Sequence, residues 1–360
     1  GLEDLKEFKK DNPGSGFIYV SRHRSHVDYF ETQLTVAKEH MPTRIQGGDN
    51  LFIGPFDPFL RETGAFMAVR EEKGFYSQKW LLNLIYSALP KNIGPYRKQY
   101  EVYINKKLAK DIYQHYLAHI LAASESSNDL LVYPEYLRQD NGSVKYGRSY
   151  SGELLDFSPY MFILLRRIIP QLDKKFFYVA VNPSYERIME DEFIKRIPEL
   201  KEKHSKDWVY LKEFAYVATR ALFPFFRPGK MVLKFGKPYE ITKGGIVKPN
   251  AVSDVKRLKH DVGLLETPFP TQVIFHAMKN EPSVSLKSLE VRVEDDIKKL
   301  DLLGVDTSHV KGKSFDGMLD DVLRIFDAPG RRFVKVKDGN LNVLDNKVVS
   351  PYGNHISHLI

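Results

Sequence analysis

Short apolar runs alternate with longer stretches of helical period along the first two thirds of the chain, the pattern of an α/β layered domain. The run Gly16-Phe17-Ile18-Tyr19-Val20 reads as a buried strand, and Val27, Phe30, Leu34 and Ala37 mark one face of a helix over about 27–40. Residues 130–133 and 176–181 read as two further buried strands. Helical patterns occupy 78–87, 102–123 and 159–169, with Pro170 closing the last. Residues 230–235 alternate like a half-exposed strand, which Gly236-Lys237-Pro238 ends.

The texture changes after about residue 244, where Pro249, Pro268, Pro270 and Pro282 punctuate the chain. Leu286, Leu289, Val293, Ile297 and Leu300 then line one helical face, and a second helix is expected over 315–326, before the Ala328-Pro329-Gly330 turn. Residues 333–336 and 341–344 form a hairpin in this reading, because the Asp338-Gly339 pair between them tolerates positive φ. The sequence therefore predicts an α/β domain over 1–244, a layered sheet flanked by helices. A smaller, mainly helical C-terminal subdomain with a short hairpin follows over 245–360.

Composition narrows the chemistry. With 42% apolar residues in 360, the chain is that of a folded protein, not a disordered or fibrous one. It contains no cysteine, which removes disulfides, thiolate metal sites and cysteine nucleophiles together. Lys and Arg number 54 against 46 Asp and Glu, a formal charge of +8 that favours acidic partners such as phosphorylated substrates, anionic lipid or nucleic acid without choosing among them. Apolar runs such as 80–85 and 161–165 fall far short of the roughly 20 residues a bilayer span needs. The start, Gly1-Leu2-Glu3-Asp4, lacks the features of a signal peptide. The expectation is a cytoplasmic protein peripheral to the membrane, its contacts led by Phe223, Phe225, Phe226 and Arg227.

The stretch Ser21-Arg22-His23-Arg24-Ser25-His26-Val27-Asp28-Tyr29 joins a strand to a helix, where sites form in α/β sheets. It supports two readings. Ser25-x-x-Asp28 fits a capping box that satisfies the first helical amides. Alternatively His23 is a general base whose tautomer and charge Asp28 controls. A zinc site at His23 and His26 lacks a third ligand and a His-Glu-x-x-His helix. Gly312-Lys313-Ser314 ends like a phosphate-binding loop, but Thr307 stands where its first glycine belongs.

Further stretches follow in order: Arg61-Glu62-Thr63-Gly64-Ala65-Phe66-Met67-Ala68-Val69-Arg70, then Pro134-Glu135, then Gly147-Arg148-Ser149-Tyr150-Ser151-Gly152, then Val181-Asn182-Pro183-Ser184-Tyr185. With His23–Tyr29, a match to His-Arg-Ser-His-x-Asp-Tyr, these resemble the four blocks of the glycerolipid acyltransferases, and most of all the glycerol-3-phosphate acyltransferases. The likeness covers roughly residues 15–240. Tyr352-Gly353-Asn354-His355-Ile356-Ser357-His358-Leu359 is similar to a string found later in those enzymes.

The resemblance implies that His23 and Asp28 are the catalytic pair and that Arg70 and Arg148 bind the acceptor phosphate. It assigns Glu135, Gly147, Ser149 and Gly152 to the third block and Pro183 to the fourth, all as substrate-binding positions. That third block is interrupted here: Tyr136 replaces its first glycine, residues 137–146 intervene, and Tyr150 stands at its second arginine, so Arg138 is the alternative to Arg148. The implied reaction moves a fatty acyl group from an acyl-CoA or acyl-carrier-protein thioester to the 1-hydroxyl of glycerol 3-phosphate, giving lysophosphatidate. A thioester is already activated, so neither metal nor other cofactor is expected. Alternatives are lysophosphatidate or dihydroxyacetone phosphate as acceptor, or a non-catalytic lipid-binding protein; no nucleic-acid module is present.

Overall fold

A computed structural model describes residues 1–47, 65–67, 117–118, 121–122, 129–138, 144–146, 149–222, 229–242, 247–328 and 331–360. The expected mixed α/β architecture is observed. Among the described residues its main sheet has five parallel strands in the order β8 (Phe176–Tyr185), β1 (Gly16–Ser21), β4 (Asp129–Val132), β2 (Thr43–Gly47) and β3 (Phe66–Met67). β1 lies between β8 and β4 and is buried along its whole length, which its continuous apolar run makes possible. The expected helices over 78–87 and most of 102–123 lie outside the described residues.

The outer edge of β8 departs from expectation. Pairing with β9 (Met231–Phe235) does not end at Gly236-Lys237-Pro238 but resumes in β10 (Tyr239–Glu240), both strands running antiparallel to β8. Four residue steps from Phe235 to Tyr239 face three from Val181 to Tyr178, so the Gly-Lys-Pro step is a bulge. β8 itself runs through Pro183 to Tyr185, beyond the strand expected over 176–181. Amides of even-numbered residues on this strand face β9: Glu186 N donates to Lys230 O, and Ala180 O accepts from Gly236 N. Pro183, an odd position, therefore turns its donor-less nitrogen to the other side, where β1 has already ended at Ser21, opposite Val181.

Helices close both faces. α1 (Leu2–Asp11) and α2 (Val27–Lys38) pack with Phe17, Tyr19, Val36, Val179 and Phe235 on one side. On the other, Phe162, Leu164 and Leu165 of α3 (Pro159–Ile168) meet Ile18, Val20, Leu130 and Tyr178. Ser158 caps α3 by accepting from Tyr160 N, Pro159 starts it, and Pro170 sits in the short 3-10 turn that ends it. The helix α7 (Val247–Leu264) follows the boundary expected near residue 244, yet its Ala251, Leu258 and Val262 belong to this same core. Between β8 and β9 the chain forms α4 (Asp191–Ile194), α5 (Ile197–Lys203) and α6 (Lys206–Leu222). A small antiparallel sheet places β5 (Glu135–Arg138) between β6 (Val144–Tyr146) and β7 (Asp156–Phe157).

A second core joins Tyr185 at the end of β8, and Ile188 just beyond it, to α8 (Pro270–Ala277), α9 (Leu286–Leu302), α10 (Phe315–Phe326) and α11 (Asn346–Asn354). Ser285 and Ser314 cap α9 and α10, so the phosphate-loop-like Gly312-Lys313-Ser314 is a helix start whose serine accepts from Gly317 N. After a two-stranded ribbon of β12 (Asp327–Ala328) and β13 (Arg331–Arg332), β14 (Val334–Lys337) and β15 (Asn340–Val343) form the hairpin. Asp338 and Gly339 both have positive φ, 51° and 69°, as a two-residue loop of this hand requires. A third strand, β11 (Ser283–Ser285), pairs with β15 and has no counterpart in the sequence reading.

Candidate active site

The interior strand β1 ends at Ser21, and residues 22–26 follow its carboxyl end before α2 begins. Every residue from Arg22 to His26 is buried, as is Asp28. His23 Nδ1 lies 3.1 Å from Asp28 Oδ2, which also accepts from the amides of Arg24 (2.6 Å) and Ser25 (2.8 Å). Asp28 Oδ1 accepts from the hydroxyl of Tyr185. With both oxygens serving as acceptors, the imidazole proton belongs on Nδ1 and Nε2 is left as the basic atom. The Tyr29 hydroxyl is 2.9 Å from Nε2, where a substrate hydroxyl must come to lose its proton.

The capping-box reading is met only in part: α2 has His26 at its N-cap with no side-chain cap, and the Asp28 amide donates to the Ser25 carbonyl, not to its hydroxyl. Asp28 supplies the capping-box bond back to Ser25 N, while Ser25 Oγ takes the Val27 amide and donates to Glu190. The same Asp28 oxygen holds His23. His26 turns away, its Nε2 3.3 Å from Glu213 Oε2.

Glu135 sits where β4 gives way to β5, fully buried. Its Oε2 accepts from His23 N at 2.7 Å and its Oε1 from Leu155 N at 3.3 Å. Burial pushes its carboxyl up to about 7. It fixes the backbone of the base rather than facing open space. Pro183 contributes its carbonyl, which accepts from Arg24 Nη1 at 3.0 Å. Gly152 has φ +83°, and a Cβ there would run into the Pro351 carbonyl; its own carbonyl accepts from Arg22 Nη2. Ser149 is buried beside Ser151, their hydroxyls 3.2 Å apart. The fold thus brings His23, Asp28, Glu135, Gly152 and Pro183 together. Arg70, Gly147, Arg148 and residues 223–227 lie outside the described residues, and Arg138 is described only as part of β5.

Sequence reasoning missed a buried ionic group behind the base. Arg24 pairs with both oxygens of Glu266, 2.9 Å from Nη1 to Oε1, and Arg22 Nη1 is 3.5 Å from Oε2. Burial raises the Glu266 carboxyl, but the two arginines outweigh it and hold it at about 2. Arg22 Nε also lies 3.8 Å from Glu135, and burial together with Arg24 lowers its guanidinium to about 9. One signal in the sequence was available: Glu266 is a lone carboxylate within Gly263-Leu264-Leu265-Glu266-Thr267-Pro268, a context that buries it.

The chain is similar in sequence to known proteins. Residues 1–171 match the family model described as Acyltransferase. A glycerol-3-phosphate acyltransferase of Xanthomonas axonopodis pv. citri (strain 306) is 26% identical over 240 residues, 66% of this chain and 22% of that protein. One from Haemophilus ducreyi (strain 35000HP / ATCC 700724) is 25% identical over 231 residues, 63% of this chain and 22% of its own length. The matched region thus spans about a fifth of the length of these relatives. The resemblance read from the four blocks is found again in these comparisons.

Proposed function

We propose that this chain, which matches the Acyltransferase family over residues 1–171, transfers a fatty acyl group from a thioester to the 1-hydroxyl of glycerol 3-phosphate. The observation that carries the reading is the buried His23–Asp28 pair, with Nε2 turned to a position a hydroxyl can occupy. His23 Nε2 takes the hydroxyl proton as that oxygen attacks the thioester carbonyl. The tetrahedral intermediate collapses, the carbon–sulfur bond breaks, and the departing thiolate receives the proton from the imidazolium. Asp28 keeps the ring oriented and stabilises its charge between these steps. No acyl-enzyme is formed, because the acceptor oxygen attacks directly.

Glycerol 3-phosphate as acceptor is supported by the names of the relatives, and Arg70 and Arg148 as its phosphate ligands by the block resemblance. Planar guanidinium groups suit a phosphate because they offer paired donors at fixed charge. The test is thiol release from palmitoyl-CoA with and without glycerol 3-phosphate, lysophosphatidate or dihydroxyacetone phosphate. Release should depend on glycerol 3-phosphate, and His23→Ala should lower it by about 10² to 10⁴-fold. Release that ignores every acceptor, or a His23→Ala protein keeping half its activity, would overturn the reading.

The donor and product are lipid-like, and among the described residues no helix is long and apolar enough to cross a membrane. We place the reaction at an anionic membrane surface, reached through basic and aromatic residues including Phe223, Phe225, Phe226 and Arg227. Flotation with anionic liposomes should show binding at low salt that weakens at high salt; protein left unbound at low salt would count against it.

A further inference from the structure

Arg22 and Arg24 flank His23 in the chain, and both side chains are 1% exposed. They point behind the base to a carboxylate that is itself fully buried, Glu266, which follows α7. Glu266 is gripped in turn: Asn182 Nδ2, from the far end of β8, donates to Oε2 at 3.0 Å, and Gln272 Nε2, from α8, lies 3.3 Å from Oε1. Gln272 Nε2 also lies 3.1 Å from His355 Nδ1. The two arginines reach forward as well, Arg24 to the Pro183 carbonyl and Arg22 to the Gly152 carbonyl. Glu266 is therefore the knot that ties the loop carrying His23 to the end of β8, to the loop at Gly152 and to the second core.

We propose that Glu266 is a positioning residue of the His23–Asp28 site, holding Arg22 and Arg24 so that the backbone between them presents His23 to the acceptor. The inference rests on His23 as the reacting base. It lies beyond the span matched to the family model, which ends at residue 171, and beyond the four blocks. Its consequence is that the site begun by the first strand and helix is completed only by chain after residue 265.

The sign of the electrostatic effect follows from the geometry. Glu266 neutralises positive charge on both neighbours of His23; its removal takes the carboxylate from Arg24 and leaves Arg22 with Glu135 at 3.8 Å, so net positive charge beside His23 and Asp28 rises in a dry site. Like charge disfavours the imidazolium, and the His23 pKa should drop. A residue that merely supported the fold would leave a variant with a smaller folded fraction but an unmoved titration.

The test is histidine-labelled NMR of Glu266→Gln, Glu266→Asp and wild type, the His23 signal identified by its loss in His23→Gln. Glu266→Gln should titrate His23 about half a unit or more lower than wild type. Glu266→Asp keeps the charge but withdraws it by one methylene. It should leave the titration within about 0.2 units while shifting the His23 ring resonances. In acceptor-dependent thiol release, both variants should lose about tenfold or more in kcat with either KM changed less than about threefold, since the clamp touches neither substrate. An unmoved His23 titration in folded Glu266→Gln overturns the proposal. Should Glu266→Gln fail to fold, Glu266→Asp decides it, and unmoved His23 resonances at wild-type Tm overturn it. A wild type without acceptor-dependent release would sink the acyltransferase reading instead, and the NMR result would still stand or fall separately.

Discussion

Asp28 shows how one side chain serves both stability and chemistry. Its Oδ2 fixes the loop that enters α2 through the amides of Arg24 and Ser25 and holds His23 Nδ1, while Tyr185 secures Oδ1. A carboxylate with so many donors cannot rotate away from the imidazole, which is what a base of fixed tautomer requires. Tyr185→Phe removes the Oδ1 donor without changing side-chain shape. The variant should fold with a stability loss of about 1–2 kcal/mol and lose about 3- to 10-fold in kcat, read by denaturant unfolding and thiol release. The pair itself was legible in the sequence because its members are five residues apart at a strand–helix junction. Tyr185 was quoted there only as part of a block; nothing local shows that a residue 157 positions away meets Asp28.

At the scale of elements, continuous apolar runs revealed β1, β4 and the start of β8, and helical period revealed α3, α9 and α10. Elements whose existence depends on a partner were hidden. The last residues of β8 are a strand because β9 lies beside them, and Ser283–Ser285 is a strand because β15 offers an edge. Composition placed a boundary near residue 244, whereas α7 buries Leu258 and Val262 against the sheet. Leu258→Ala, at a fully buried position, should therefore destabilise the protein by about 2–5 kcal/mol in a urea titration. A loss under about 1 kcal/mol would mean that α7 contributes little to that core.

For the molecule as a whole, the polar groups buried around the site set its response to pH. His355 lies wholly buried, and burial, then Arg24 and Arg22, lower its pKa well below the ordinary 6.5. Below that ordinary value the unfolded chain takes a proton that the folded one refuses, so its contribution to stability is lost as pH falls from about 6.5. Glu135, raised to about 7 by burial, acts oppositely: its contribution is present below the unfolded value of 4.5 and lost as pH rises through 7. The Tm change between pH 7.5 and 5.5 separates them. His355→Gln should fall less than wild type on acidification and Glu135→Gln should fall more, and parallel changes in all three proteins would refute the assignment. The amino-acid sequence by itself determined the alternation of strands and helices, the burial of β1, the hairpin at Asp338-Gly339 and the candidate pair His23 and Asp28. Each of these is written in neighbouring residues through side-chain period, capping and φ preference. Only the tertiary structure decided that Glu135 holds the His23 amide, that Tyr185 holds Asp28, and that Glu266, 242 residues from Arg24, neutralises it. The physical reason is that a charge removed from water must find its partner among whatever elements the packed core brings alongside, and no local pattern names that element.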